Sequence, residues 1–287
     1  MRKVMVAATQ FAASKSSTEK NVEKAEQLVR QAARQGAQIV LLQELFESWY
    51  FCQDVDPGNL LLAKEIQSHP TVLHFTKVAK DLGIVIPVSC FEKKRNVFFN
   101  SVVVVDADGT RKGVYRKTHI PDDPGYYEKY YFTPGDTGFK VWDTKFGKIG
   151  IAVCWDQWYP EVARCLVLRG AEMIFYPTAI GTSPTPAEHW QIVQRGHAAA
   201  NMVPVIAANR VGTEKSDMND TEIVFYGRSF IADHWGRLVQ EATSTDEMVI
   251  TAEFDLDEIA EQRREACLFR DRRPECYHDL LTLYGSD

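Results

Sequence analysis

Along the first 45 residues the hydrophobic pattern changes period twice. Lys3 to Thr9 is a compact apolar run of strand length. Val22, Ala25, Leu28, Val29 and Ala32 then recur at three- and four-residue spacing, one face of a helix, and Ser16-Ser17-Thr18-Glu19 ahead of them has capping-box form. Gly36 supplies a stop. AQIVLLQE, Ala37 to Glu44, is apolar without alternation and ends in charge, the pattern of a strand covered on both faces. A second helix is predicted over Thr71 to Leu82 and a strand over Ile84 to Phe91.

The middle of the chain reads as antiparallel pairs. NSVVVVDADGTRKGVYRK turns at Asp106 to Gly109, and FKVWDTKFGKIGIAVC turns near Phe146-Gly147. Helix and strand then alternate: Pro160 to Arg169, the strand AEMIFYP, Ala187 to Met202, and the strand VPVIAANRVG. Strand runs follow at Ile223 to Ala232 and Met248 to Phe254, and Leu256 to Ala266 is a charged helix. Strands mixed with helices throughout predict an α/β fold with mixed sheets. No solenoid-length repeat occurs. No Ser/Gly run, proline cluster or shift in composition divides the chain, so one domain is expected over 1–287, with 268–287 as a C-terminal tail.

Composition narrows the function classes. With 287 residues, 45% hydrophobic and 25% charged, the chain has the make-up of a globular protein with a sizeable core. A net charge of -6 argues against nucleic acid or an anionic membrane as partner, since both require a basic face. The opening MRKVMVAATQ enters a strand directly, and no run reaches the roughly 18 apolar residues of a membrane span, so a cytoplasmic location is expected. The six cysteines (Cys52, Cys90, Cys154, Cys165, Cys267 and Cys276) are widely spread. None forms a CxxC pair or zinc-finger spacing, so reduced thiols and no metal are expected.

Candidate chemistry centres on GIAVCWDQWYPE. Lys148 to Val153 is strand-like and Pro160 suits the first turn of a helix, so Cys154 falls in a strand-to-helix connection. There a thiol stands at the carboxyl edge of a sheet, beside backbone N–H groups able to bind an oxyanion. An ordinary buried cysteine is the competing reading. A nucleophilic thiol needs a proton acceptor, and spacing alone leaves His119, His189, His197 and Glu44 open.

LLQELF around Glu44, YRKTHIP around Lys117 and the Cys154 segment, in that order, resemble the three signature segments of the nitrilase (carbon–nitrogen hydrolase) superfamily. The likeness runs from the first strand to RDRRPECY. It implies a four-layer α-β-β-α sandwich and a Glu44-Lys117-Cys154 triad, with Glu44 as base, Cys154 as nucleophile, and Lys117 with the Trp155 N–H stabilising the oxyanion. It also implies that the lysine lowers the thiol pKa. Glu128, in GYYEKYYFTPGD, resembles a second glutamate that positions the lysine. No cofactor is implied. Subunits of the superfamily pair with crossing tails, so a homodimer or higher homo-oligomer is expected, with ECYHDLLTLYG in the contact.

The longer segments YRKTHIPDDPGYYEKYYFTPGDTGFKVW, FYPTAIG and HWQIVQRGHAAANMVPVIAANRVG resemble the branch of N-carbamoylputrescine amidases, which implies a small carbamoyl amine as substrate. One departure stands out. Ser183, in Gly181-Thr182-Ser183-Pro184, stands where that branch has a glutamate for the substrate's distal ammonium. Desolvating an ammonium without a counter-charge is costly, so Asp122 first, then Asp123 or Glu188, are the candidate anchors. Trp155 and Tyr126 complete the expected binding set, with Trp158 and Trp190 as further candidates. The rival readings are an amidase for N-carbamoyl-β-alanine or an ω-amide, with Arg195 or Arg210 facing the tail, and a non-catalytic protein on the same fold.

Overall fold

In the computed structural model, which describes residues 1–182 and 186–285, the elements run β1 (Lys3–Gln10), α1 (Thr18–Arg34), β2 (Ile39–Leu41), α2 (Pro70–Leu82), β3 (Ile86–Lys94), β4 (Val97–Val105), β5 (Arg111–Arg116), α3 (Glu128–Tyr131), β6 (Val141–Thr144), β7 (Gly147–Ile151), α4 (Pro160–Leu168), β8 (Met173–Pro177), α5 (Ala187–Asn201), β9 (Val205–Ala208), β10 (Thr213–Lys215), β11 (Glu222–Val224), β12 (Phe230–Ala232), β13 (Leu238–Glu241), β14 (Met248–Asp255) and α6 (Leu256–Ala266). One sheet has the order β13-β12-β9-β8-β7-β6. A second joins β14-β1-β2 to β3-β4-β5 through Val40 N–H to Val85 O (3.0 Å) and Val85 N–H to Gln38 O (2.8 Å), and β10-β11 form a separate two-stranded ribbon.

The period-two alternation of the strands dictates how the sheets stack. Val4, Val6 and Ala8 of β1 point one way and meet Ile149, Ile151, Phe175 and Ile206 of the facing sheet in one fully buried layer. Ala7 points the other way and packs with Val40 against Ala25, Val29, Val72 and Phe75 of α1 and α2. On the facing sheet Ile174, Tyr176, Val205 and Phe230 are covered by Val162, Leu166, Trp190 and Ala198 of α4 and α5. The result is the α-β-β-α sandwich. No helix among the described residues is long and apolar enough to cross a membrane.

Three local readings change. Ser17 is the N-cap of α1, accepting from Lys20 N–H while donating to Glu19, in place of a reciprocal capping box. The Ala37–Glu44 run is paired only over Ile39–Leu41, so Glu44 lies beyond the ladder, followed by Leu45 at φ 48°. The run Ile223–Ala232 is two strands in different sheets. Gly227 (φ 61°) and Arg228 (φ 53°) turn the chain between them, and a Cβ on Gly227 would stand 2.8 Å from Thr243 O, so the corner requires glycine. Apolar content alone did not register that corner.

Candidate active site

Strand ends from both sheets converge. Glu44 follows β2, Lys117 follows β5, Glu128 opens α3, and Cys154 begins a short 3₁₀ helix, Cys154–Trp158, just after β7. All four side chains are buried. Lys117 Nζ lies 2.9 Å from Glu44 Oε1 and 2.6 Å from Glu128 Oε2. Tyr50 donates its hydroxyl to Glu128 Oε1 (2.6 Å), and Asn100 Nδ2 donates to Glu44 Oε1 (2.7 Å). Glu44 Oε2 is buried without a hydrogen-bond partner among the described residues. Cys154 adopts φ 43°, a left-handed conformation that costs a side-chain-bearing residue energy and recurs at functional turns.

The electrostatics follow from two carboxyl groups sharing one ammonium out of water. Burial raises the Glu128 pKa to about 6, with Lys117 opposing the rise and Glu44 adding to it. Burial works against the Lys117 charge, but the Glu128 and Glu44 carboxylates outweigh it and hold the ammonium well above its ordinary value. The Cys154 thiol is pushed well above its ordinary value by burial, then by Glu44, against the pull of Lys117. This corrects the expectation of a lowered thiol pKa: the lysine's charge is already matched by two acids. Burial at this position therefore favours the neutral thiol over the thiolate.

Over the sulfur opens a cavity of about 430 Å³. Pro121, Trp155, Trp158, Tyr159 and Ile180 form apolar walls, Cys154 and Glu128 line it, and Asp123, Tyr126, Thr182 and His189 add polar groups. Among the described residues no lysine or arginine lines it. Trp155 and Tyr126 of the expected binding set are present. Asp122 is exposed and outside the lining, because the tight Asp123–Tyr126 pairing (Tyr126 N–H to Asp123 O, 2.7 Å) turns Asp123 onto the wall instead. Glu188 is also outside, exposed and 3.6 Å from Arg228. Its helix neighbour His189 occupies the wall, against Trp158. Trp190 is core, packed on Phe230. Ser183 lies outside the described residues.

The basic candidates have other partners. Arg195 donates to Gly236 O. Arg210 is fully buried and donates to Ser48 O (3.0 Å), Glu44 O (3.0 Å) and Leu45 O (2.6 Å) while pairing with Glu214, so it holds the loop that carries Glu44. His197 bonds Gln157 O and His119 bonds Asp156. Sequence reasoning passed over Tyr50, Asn100, Tyr115 and Asp156, and it offered Arg210 to a substrate carboxylate where the structure gives it to the Glu44 loop. Asp156 alone had a usable signal, its place two residues after Cys154.

The whole chain has known counterparts. It matches the carbon-nitrogen hydrolase family over residues 5–264 and belongs to that family. It is 52% identical to an N-carbamoylputrescine amidase of Arabidopsis thaliana, over 99% of this chain and 97% of that one. A citrullinase of Francisella tularensis is 46% identical over 99% of this chain and all of its own. A carbon-nitrogen hydrolase from Helicobacter pylori superimposes with a TM-score of 0.92 at 41% identity, covering 98% and 99% of the two chains. The nitrilase-type sandwich is thereby shown, and the protein is a hydrolase acting on carbon–nitrogen bonds.

Proposed function

We propose that the enzyme hydrolyses the ureido group of N-carbamoylputrescine to putrescine, carbon dioxide and ammonia, with Cys154 as nucleophile. The observation that carries the chemistry is the buried Oε2 of Glu44, without a hydrogen-bond partner among the described residues, on a carboxyl whose charge acts on the Cys154 thiol. Glu44 takes the thiol proton as sulfur attacks the ureido carbon. Lys117 and the Trp155 N–H stabilise the charge that develops on oxygen, each such donor being worth roughly 3 kcal/mol in known oxyanion sites. Glu128, bonded to Lys117 and Tyr50, holds the ammonium in position. The amine leaves protonated, and water deprotonated by Glu44 attacks the thiol-bound carbamoyl carbon. The freed carbamate then splits into carbon dioxide and ammonia.

The choice of tail rests on the cavity. Aromatic and proline walls suit a chain of methylenes, Asp123 offers an anion to a distal ammonium, and among the described residues no lysine or arginine lines the cavity for a carboxylate. The relatives named as N-carbamoylputrescine amidases support the same choice. The test is a panel of N-carbamoylputrescine, citrulline, N-carbamoyl-β-alanine and a simple ω-amide, scored by kcat/KM. Preference for a carboxylate-bearing substrate would overturn the polyamine reading. Cys154→Ala should fold and lose all turnover; activity in that variant would overturn Cys154 as the nucleophile, and a wild-type protein inactive on the whole panel would reopen the non-catalytic reading.

The setting we propose is the cytoplasm and the working form a homo-oligomer. Leu281 and Leu283 of the tail are 86% and 101% exposed in the single chain, surface that a second copy would cover. Light scattering on the purified protein tests this, and a monomer at working concentration would refute it.

A further inference from the structure

Asp156 is fully buried and, among the described residues, forms no ion pair with a lysine or arginine, yet each of its oxygens has two hydrogen-bond partners. Oδ2 accepts from Val153 N–H (3.0 Å) and the Tyr115 hydroxyl (2.6 Å). Oδ1 accepts from His119 N–H (3.0 Å), and His119 Nδ1 lies 2.8 Å away. These donors come from two sheets. Tyr115 and His119 flank Lys117 on the β5 side, and Val153 precedes Cys154 on the β7 side. One side chain therefore ties the ammonium's strand end to the nucleophile's left-handed turn.

We infer that Asp156 is a positioning residue for the hydrolysis, setting the separation of Cys154 from Lys117 by clamping Val153 and His119 on opposite oxygens of one carboxylate. The inference rests on the reading of Cys154 as nucleophile. Its physical basis is that the two backbone N–H groups cannot reverse their role, whereas the tyrosine hydroxyl and the imidazole can. An asparagine in this place must aim its NH₂ at one of the two pairs, so Val153 or His119 N–H loses its acceptor. The corresponding strand end is then free to shift. His119 also stacks on Tyr159 with ring centroids 3.7 Å apart, so a shift there reaches the cavity wall.

The test uses the full-length enzyme with N-carbamoylputrescine and near-UV circular dichroism, whose amplitude comes from the packed aromatic core. That amplitude counts folded sites, and turnover is expressed per folded site. Asp156→Asn should keep the amplitude and KM close to wild type while kcat per site falls roughly 100-fold, the scale of a misplacement of about 1 Å. Tyr115→Phe removes one donor to the same carboxylate and should lower kcat per site less, in the same direction. A merely structural role would reduce amplitude and leave kcat per site unchanged, and that result in both variants would overturn the inference. If Asp156→Asn does not fold, Tyr115→Phe decides alone. Failure of the underlying reading would look different: wild-type enzyme would keep its turnover after Cys154 is alkylated.

Discussion

Glu128→Gln separates what the buried ion cluster does for catalysis from what it does for stability. Ordinarily, removing one member of a buried pair costs about 3–5 kcal/mol because the other charge is orphaned. Here Lys117 would keep Glu44 at 2.9 Å, so no orphan is created. A glutamine can still accept from Lys117 with its oxygen at the position of Oε2, while its NH₂ donates to the Tyr50 hydroxyl, which can reverse its role. Moreover, burial raises Glu128 from 4.5 to about 6, so its folded environment favours the protonated form. That difference corresponds to about 2 kcal/mol. Because the folded value lies above the unfolded one, the favourable contribution is present below about pH 4.5 and is lost as pH rises through about 6. The neutral glutamine carries no such loss. At pH 7.5 the variant should therefore be as stable as the parent or more stable by up to about 2 kcal/mol, with the gap closing toward pH 4.5. Turnover should move the other way. With one counter-charge gone, Lys117 draws on Glu44 alone, and kcat should drop roughly 100-fold if about 3 kcal/mol of transition-state stabilisation is lost. Urea unfolding at several pH values and steady-state kinetics measure the two arms. Destabilisation by 3–5 kcal/mol at pH 7.5, or a fully retained kcat, would refute this account of the cluster.

Other perturbations probe the supports of the site. Gly135→Ala would put a Cβ 2.0 Å from Arg116 O and 2.8 Å from Lys117 O, so the backbone carrying the ammonium must shift. A loss of about 1–3 kcal/mol in urea unfolding and a lower kcat are expected, and neutrality in both would contradict the close approach. Arg210→Met leaves Glu214 without its cation and takes the guanidinium donor from the carbonyls of Glu44, Leu45 and Ser48, while Tyr50 N–H to Glu214 and Ser48 N–H to Leu45 O remain. Unfolding should become easier by about 3–5 kcal/mol, and lysine should recover only part because it lacks the planar fork. Asp123→Asn should raise KM for N-carbamoylputrescine several-fold with kcat kept, while Asp122→Asn leaves both unchanged. The reverse result would move the amine anchor to Asp122.

Much of the layering was legible in the chain. Two-residue alternation and three-to-four-residue spacing are local properties, and they locate β1, α1, α2, α4 and α5 to within a few residues. The segments around Glu44, Lys117 and Cys154 pointed to carbon–nitrogen hydrolysis, because the residue types of a reacting group are carried in short stretches. Pairing, charge balance and orientation were not local. The thiol's pKa depends on burial and on two acids from other segments, so a lysine that looked activating is outweighed. Which of two adjacent aspartates faces the cavity depends on a tight pairing between Asp123 and Tyr126. Asp156 and Arg210 look like ordinary charged residues in the sequence. Only packing both sheets together brings Val153 and His119 to one and the Glu44 loop to the other, since a buried charge is defined by the donors that reach it.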